Sequence, residues 1–349
     1  MRLEPRERAS PLLMLGASVG AAVLALLLCA IPLLWAGAPV LRAYGVMAQG
    51  AFGSRFALAE TLSRATPLVL TGLAATVAFR ARLWNIGAEG QLYLGALAAT
   101  ALGSGALGLP GWVLLPLILL AGAAAGAVWM AGPTLLKTRL GVDEVVTTLL
   151  LNFVVLLFVS MMLEGPMKDP MGMGWPQSPP ILDAAALPKL IPRTRIHAGL
   201  LIAVAAAVLV WLMTTRTIWG FEMRATGANP SAARFAGMPV GRVMLRVGLI
   251  SGALAGLAGV GEVAGLKGYL TQDLSPGYGY AGIVVAMLAQ LHALGVLLAA
   301  LFVAAVFVGA DSMSRAIGVS SYIANLVVAT SLLTVLLSGI VLRYRVRWR

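Results

Sequence analysis

Taken as a pattern of apolar and polar positions, the chain alternates long apolar runs with short polar intervals. Ten runs stand out, near 11–36, 62–79, 90–108, 112–135, 144–163, 198–214, 246–265, 277–291, 294–310 and 321–342. Several approach or exceed the roughly 20 residues that carry a helix across a hydrocarbon core. The pattern predicts an all-α fold, a polytopic transmembrane helical bundle of about ten spans. No soluble-looking block exceeds about 35 residues, so residues 1–349 read as a single transmembrane domain. The second, eighth and ninth runs are short. Glycine-rich breaks beside two of them read either as turns inside the membrane or as loops outside it.

Two polar intervals are long enough to carry structure. Arg216–Arg246 holds five arginines and one acid between two apolar halves. Within it, Asn229 suits a helix N-cap, Pro230 the first helical position and Gly237 the residue just past the C-terminus, which predicts a short helix over 230–236. We read 216–245 as a cytoplasmic coupling loop; the plainer alternative is a solvated connector. Glu164–His197 contains seven prolines and is too polar to cross. It reads as a semi-rigid external cap, either contacting an external partner that hands over solute or serving as a passive lid.

Composition agrees with the pattern: 60% of residues are apolar, 11% are charged and the mean hydropathy is +0.93. The net charge of +12 does not point to nucleic acid, because the basic residues sit at the ends of apolar runs and not on one patch. With the first residues inside, 16 of the 25 basic residues fall on cytoplasmic segments, among them Arg2, Arg6, Arg8, Arg80, Arg82, Lys137, Arg139 and the C-terminal Arg343, Arg345, Arg347 and Arg349. That bias orients both termini inward in a multi-pass inner-membrane protein, with the lipid bilayer as its solvent. The apolar run after Arg8 is too long for a typical signal-peptide core and reads as a retained first helix. One cysteine, Cys29, and two distant histidines, His197 and His292, make neither a disulfide framework nor a metal cage. No G-x-x-x-x-G-K-[ST] loop occurs, so the chain lacks that route to ATP hydrolysis. Nothing implies a cofactor.

Gly16-x-x-x-Gly20, Gly122-x-x-x-Gly126 and Gly252-x-x-x-Gly256 predict close helix–helix approach, since lipid supplies no hydrophobic drive for association. The halves 60–165 and 246–342 resemble each other as an inverted repeat. Asn85-Ile-Gly-Ala-Glu-Gly-Gln follows the second run as Ser275-Pro-Gly-Tyr-Gly-Tyr-Ala-Gly follows the seventh, and a later helix in each half carries an asparagine, Asn152 or Asn325. Glycine-interrupted segments at matching places are the best sequence pointer to a midplane solute site.

Chemistry concentrates at these breaks. If 80–91 dips into the membrane, Asn85, Glu89 and Gln91 offer donors and acceptors to a neutral polar solute, and Trp84 or Tyr93 offers a stacking face. If it is a cytoplasmic turn, Asn85 caps the next helix and Glu89 complements its dipole. An acid at the membrane centre costs about 2.5–3.5 kcal/mol, which favours the first reading. Tyr278 and Tyr280 in the second break suit ring stacking or interfacial anchoring. Glu262, Asp311 and His292 form no acid–histidine pair in sequence, so neither a proton relay nor a hydrolase is indicated.

Four stretches carry a family resemblance: Phe79–Gln91, Asp143–Asn152, Gly220–Gly237 and Gly277–Ile283. In this order they resemble the signatures of permease subunits of bacterial ABC importers for nucleosides, simple sugars and branched-chain amino acids, and are most similar to the nucleoside and simple-sugar branch. The resemblance covers about 60–340. It implies a permease paired with an identical or related second permease, two ATP-binding subunits that hydrolyse the ATP, and an external solute-binding lipoprotein. It also implies that Gly227, Asn229, Ala232, Ala233, Arg234 and Gly237 lie at the ATPase contact. Arg82, Trp84 and Ala289–Gly295 depart from the branch's usual pattern, which leaves the solute open. The alternative of another class is a secondary transporter driven by an ion gradient, for which Glu89 alone is thin support.

Overall fold

A computed structural model describes residues 2–5, 11–105 and 108–347. Arg6, Arg8 and Arg349 of the charge pattern, and positions 106–107 of the third apolar run, lie outside the described residues. Thirteen α-helices follow one another among the described residues: α1 Pro11–Trp35, α2 Val40–Phe52, α3 Arg55–Arg80, α4 Ala88–Gly103, α5 Gly111–Leu135, α6 Glu144–Glu164, α7 Gly199–Arg216, α8 Ile218–Ala228, α9 Pro230–Phe235, α10 Val240–Val260, α11 Tyr278–Leu288, α12 Gly295–Ile317 and α13 Ser321–Arg343. Two short strands, β1 Arg2–Pro5 and β2 Tyr344–Arg347, pair antiparallel.

Each predicted run contains a helix, but the count of about ten crossings is not confirmed among the described residues. Six helices among the described residues are long and apolar enough to span, or seven if the pair Val23–Trp35 and Val40–Phe52, bent by 116°, is one span. At 1.5 Å per residue, α4 reaches about 24 Å and α11 about 16 Å, short of a hydrocarbon core of about 30 Å. Run 277–291 therefore shrinks to an 11-residue helix, and α2 appears where the pattern showed no separate element.

The chain divides into two compact units, residues 1–61 with 301–349, and residues 62–300. In the first, Cys29 Sγ lies 3.5 Å from the Val327 carbonyl and 3.4 Å from Ser331 Oγ, tying α1 to α13. A side chain added at Gly309 would come within 2.9 Å of the Met47 carbonyl, so α12 and α2 touch backbone to backbone.

In the second unit α10 crosses α5 and α4. A methyl group built on Gly126 would strike the Gly252 carbonyl, and one on Gly252 the Gly126 carbonyl. Gly256 meets Gly122 in the same way, Gly95 of α4 meets Gly256, and Gly259 meets the Leu92 carbonyl. Two of the three predicted glycine motifs thus form one crossing, with dispersion between backbones replacing the absent hydrophobic drive. The third does not join it: a side chain at Gly20 would meet nothing within 4 Å. Both crossing helices end in a π-helical stretch, Leu136–Leu140 after α5 and Gly261–Lys267 after α10, each closed by a left-handed glycine, Gly141 or Gly268.

Residues 165–198 fold as an ordered cap over the end of α10. Leu187 N donates to the Ala264 carbonyl at 2.7 Å, and Leu182 N to Gly103 at 2.8 Å. The side chain of His197 is buried. Its ring fills the space left by the missing side chains of Gly199 and Gly265, and its Nδ1 accepts from Gly199 N at 3.1 Å. Burial first, then the charge of Lys189, pushes this imidazole from the ordinary 6.5 down to about 4.

Two outcomes follow. Gly256→Leu forces α5 and α10 apart and lowers the melting temperature of the purified protein by the equivalent of about 1–3 kcal/mol or more, as overpacking does. For His197 the folded value lies below the unfolded one, so the unfolded chain binds more protons between pH 6.5 and 4. Its contribution is complete above the unfolded value and fades as pH falls through the window, by about 3 kcal/mol at most. Melting scans from pH 7 to pH 4 show a steeper loss for the native chain than for His197→Gln.

Candidate translocation site

Residues 80–91 do not form an exposed turn. α3 ends at Arg80, the chain reverses, and Asn85, Glu89 and Gln91 are buried inside the second unit. The N-cap of α4 is Gly87 with no side-chain cap, so the expected Asn85 cap is not formed in the standard position. Asn85 instead braces the reversal. Its Oδ1 accepts from Gly87 N at 2.9 Å and from Gln91 Nε2 at 3.0 Å, and its Nδ2 donates to Gln91 Oε1 and Ser251 Oγ, both at 2.9 Å. Ser251 then donates to the Ala74 carbonyl at 2.8 Å, which joins α3, α4 and α10.

Two further amides around the start of α4 are met from α6. Ile86 N donates to Thr148 Oγ1 at 3.2 Å, and Gly90 N to Asn152 Oδ1 at 2.9 Å. Asn152 Nδ2 in turn donates to the Ile86 carbonyl at 2.9 Å and lies 3.1 Å from Tyr280 Oη. Trp84 N donates to Glu144 Oε1 at 3.1 Å, and the same carboxylate pairs with Lys137. Asn152 is therefore a remote cap, placed by α6, whose own start is capped by Asp143 accepting from Val145 N at 2.7 Å.

α11 begins against α4. Gly279 N donates to Glu89 Oε2 at 2.6 Å, and a side chain on Gly279 would collide with the backbone of Glu89. Thr71 Oγ1 donates to the Tyr278 carbonyl at 2.9 Å. The first turns of the two short helices, paired by the inverted-repeat reading, thus meet directly. Tyr93 Oη donates to the Gln272 carbonyl at 2.6 Å and accepts from Ser275 N at 3.2 Å. Beside this loop Asp273 is held below the ordinary carboxylate range, first by the Thr271 side chain and then by Lys267.

Of the proposed pathway residues, seven form one continuous region: Asn85, Glu89, Gln91, Tyr93, Asn152, Tyr278 and Tyr280. Six of them, all but Tyr278, have a polar side-chain atom bonded to a partner named above, and Tyr93 and Tyr278 have buried rings. Two aromatic faces stay half open, Tyr280 at 38% and Trp84 at 40% exposure, the latter stacked at 4.7 Å and 59° on Phe79. Asn325 is exposed on α13 and belongs to the other unit. Sequence reading missed Thr71, Glu144, Thr148, Ser251 and Ser275. Ser251 precedes a glycine motif and passes for a small packing residue, and no local signal marks it as a hydrogen-bonding centre.

The loop 216–245 carries α8, α9 and the start of α10. Asn229 caps α9, its Oδ1 accepting from Ser231 N at 3.0 Å and Ala232 N at 3.1 Å, and Gly237 lies at φ +82° just past the end. The local geometry expected of Asn229, Pro230 and Gly237 is present. One residue implied for the ATPase contact does not lie on the outer face. Ala233 is 4% exposed and packs on Val240 and Met244, so it seats α9 on α10 and does not face outward with Ala232 and Ala236. Gly227 faces inward too, against the backbone of Arg80. The outward face carries Ala232, Arg234, Ala236 and Phe235, the last 95% exposed and not singled out beforehand. Arg246 braces α8 by bonding Glu222 at 3.0 Å and lying 4.4 Å over the Trp219 ring.

Long apolar helices, two short helices joined inside the protein and a capped short helix between α8 and α10 together define a multi-pass membrane protein. Residues 57–342 match the family described as branched-chain amino acid transport system / permease component, and the chain belongs to it. It is 41% identical over 99% of its length to the glucose ABC transporter permease protein TsgB13 of Haloferax volcanii, covering 93% of that protein. It is 36% identical to the guanosine ABC transporter permease protein NupP of Bacillus subtilis, over 90% of this chain and 91% of that one. Against the nucleoside ABC transporter permease protein NupB of Lactococcus lactis the identity is 31%, over 84% of this chain and 83% of that one. The chain is a permease subunit of an ABC importer, a transport component and not an enzyme.

Asn85→Ala leaves Ser251 and Gln91 short of partners in a buried place and lowers the melting temperature by the equivalent of about 1–3 kcal/mol. Tyr280→Phe, which removes one half-exposed hydroxyl, shifts it by less than about 1 kcal/mol. Thermal unfolding of the two variants in the same detergent separates a bracing role from a solute-facing one.

Proposed function

We propose that this chain forms half of the translocation pathway of an ATP-driven importer for a nucleoside or a similar polar solute such as a simple sugar. The observation that carries the reading is the buried α4–α11 junction, two short helices entered through glycine-rich breaks and meeting at their first turns. In this reading Trp84 and Tyr280 offer faces to the solute, while Asn85, Glu89, Gln91 and Asn152 hold the lining in place. The relatives named for guanosine, nucleosides and glucose support a neutral, hydroxyl-rich cargo.

ATP is hydrolysed by two separate ATP-binding subunits that meet the loop 216–245 through the outward face of α9. A second permease, identical or related, completes the pathway, and an external solute-binding lipoprotein meets the cap at 164–197. The protein sits in the bacterial inner membrane with both termini inside, in keeping with the arginine bias and with the pairing of β1 with β2, which holds the two ends together. Uptake into proteoliposomes that requires ATP and survives an uncoupler tests the energy source; uptake abolished by the uncoupler alone would point to an ion-driven carrier. The solute is read by identifying the ligand carried by the cognate binding protein.

Phe235→Ala and Gly237→Val test the docking face. The first removes an exposed aromatic of the kind that dominates protein interfaces, and the second forces a β-branched residue into a left-handed backbone. Each lowers ATPase-subunit capture about tenfold or more, with the permease still folded, for a loss of roughly 1.4 kcal/mol. Unchanged capture and unchanged stimulated hydrolysis by both would return the loop to a plain connector.

A further inference from the structure

The segment 268–279 runs from the π-helical stretch after α10 into the start of α11, and it is held by the cap at its beginning and by α4 from its middle onward. At its start the external cap is bonded to it. Ile181 N donates to the Gly268 carbonyl at 2.8 Å, Ser178 N to the Leu270 carbonyl at 2.9 Å, and Leu270 N to Ser178 Oγ at 2.9 Å. In the middle, the Tyr93 hydroxyl of α4 donates to the Gln272 carbonyl at 2.6 Å and accepts from Ser275 N at 3.2 Å. At its end Ser275 Oγ accepts from Gly277 N at 3.2 Å and Tyr278 N at 2.9 Å, and Gly279 N donates to Glu89 at 2.6 Å. Lys267 stiffens the bend by donating to the Asp273 carbonyl at 2.9 Å.

We propose that Tyr93 is a positioning residue that carries the state of the external cap to the start of α11. Its hydroxyl is the one side-chain group in this network that both gives a bond to the segment and takes one from it. A shift of the cap must therefore either break the tie or move Ser275, and Ser275 caps the first turn of α11. The buried ring is not offered to solute in this conformation; it fixes where the hydroxyl stands. The proposal rests on the reading that a loaded binding protein meets the cap. Spatial continuity alone does not establish coupling, so the test measures the coupling itself.

The full complex, permeases with ATP-binding subunits in proteoliposomes, is assayed for basal hydrolysis, for hydrolysis with loaded binding protein, and for amide exchange over 268–279. Tyr93→Phe keeps the ring and loses both bonds. It lowers stimulation about tenfold, on the order expected for two lost hydrogen bonds, with basal rate and KM for ATP unchanged and faster exchange confined to 268–279. Ser275→Ala, which frees the start of α11 and leaves the Tyr93–Gln272 bond, gives the same split and decides the matter if Tyr93→Phe does not assemble. Native stimulation in Tyr93→Phe overturns the proposal. So does an equal fall of basal and stimulated rates, or failure of both variants to assemble, since each marks a tie that only holds the fold. A native complex that loaded binding protein does not stimulate would instead refute the docking reading beneath it.

Discussion

A backbone amide inside a bilayer has no water to fall back on, and the rest of this structure depends on that constraint. α4 and α11 are too short to cross, so their first turns lie inside the protein with free N–H groups. Five amides at or just before these starts are met by side chains: Gly87 N by Asn85, Gly90 N by Asn152, Gly277 N and Tyr278 N by Ser275, and Gly279 N by Glu89. These acceptors come from α4 itself, from α6 and from the segment before α11. Meeting the amides therefore locks the elements together. An unmet buried amide costs about 1–3 kcal/mol, so a handful of such bonds weighs heavily against a net stability of about 5–15 kcal/mol.

Packing serves the same end. The crossing of α10 with α5 and α4 brings backbones into contact at Gly95, Gly122, Gly126, Gly252, Gly256 and Gly259, and only residues without side chains allow it. That approach puts Ser251 within reach of both Asn85 and the Ala74 carbonyl. The glycine crossing and the polar brace are thus one device, since a wider separation would leave Asn85 without its α10 partner. The π-helical ends of α5 and α10 lie beyond the crossing, and the second receives the cap at 165–198 through Leu187 and His197.

For a permease, a junction of two helix starts has a mechanical use. Few bonds hold it, they are all at one place, and the segment that enters α11 is hydrogen-bonded to the cap at 165–198, while α10 leads back to α9 and α8. The short helix α9 is seated in the same way: Ala233 and Gly227 hold it and its approach on the chain's own helices, and Arg234 and Phe235 are exposed.

By itself the sequence determined the membrane class, the places of the helices, the glycine motifs of α5 and α10, the capped turn at Asn229 and the family. These follow from composition, from local periodicity and from short motifs whose meaning is carried by neighbouring residues. The length of a run could not decide whether it crosses, so α4 and α11 were read as spans until their ends were seen inside the protein. Only the tertiary structure decided which way Ala233 faces, that Asn85 and Asn152 brace backbone amides, and that Tyr93 ties a distant loop. Apart from the Asn85–Gly87 bond, those facts depend on partners well away in the chain, at Ser251 for Asn85, Gly90 for Asn152 and Gln272 for Tyr93. A hydrogen bond's partner is set by how helices cross, and the crossing is settled by backbone contact that no local pattern contains.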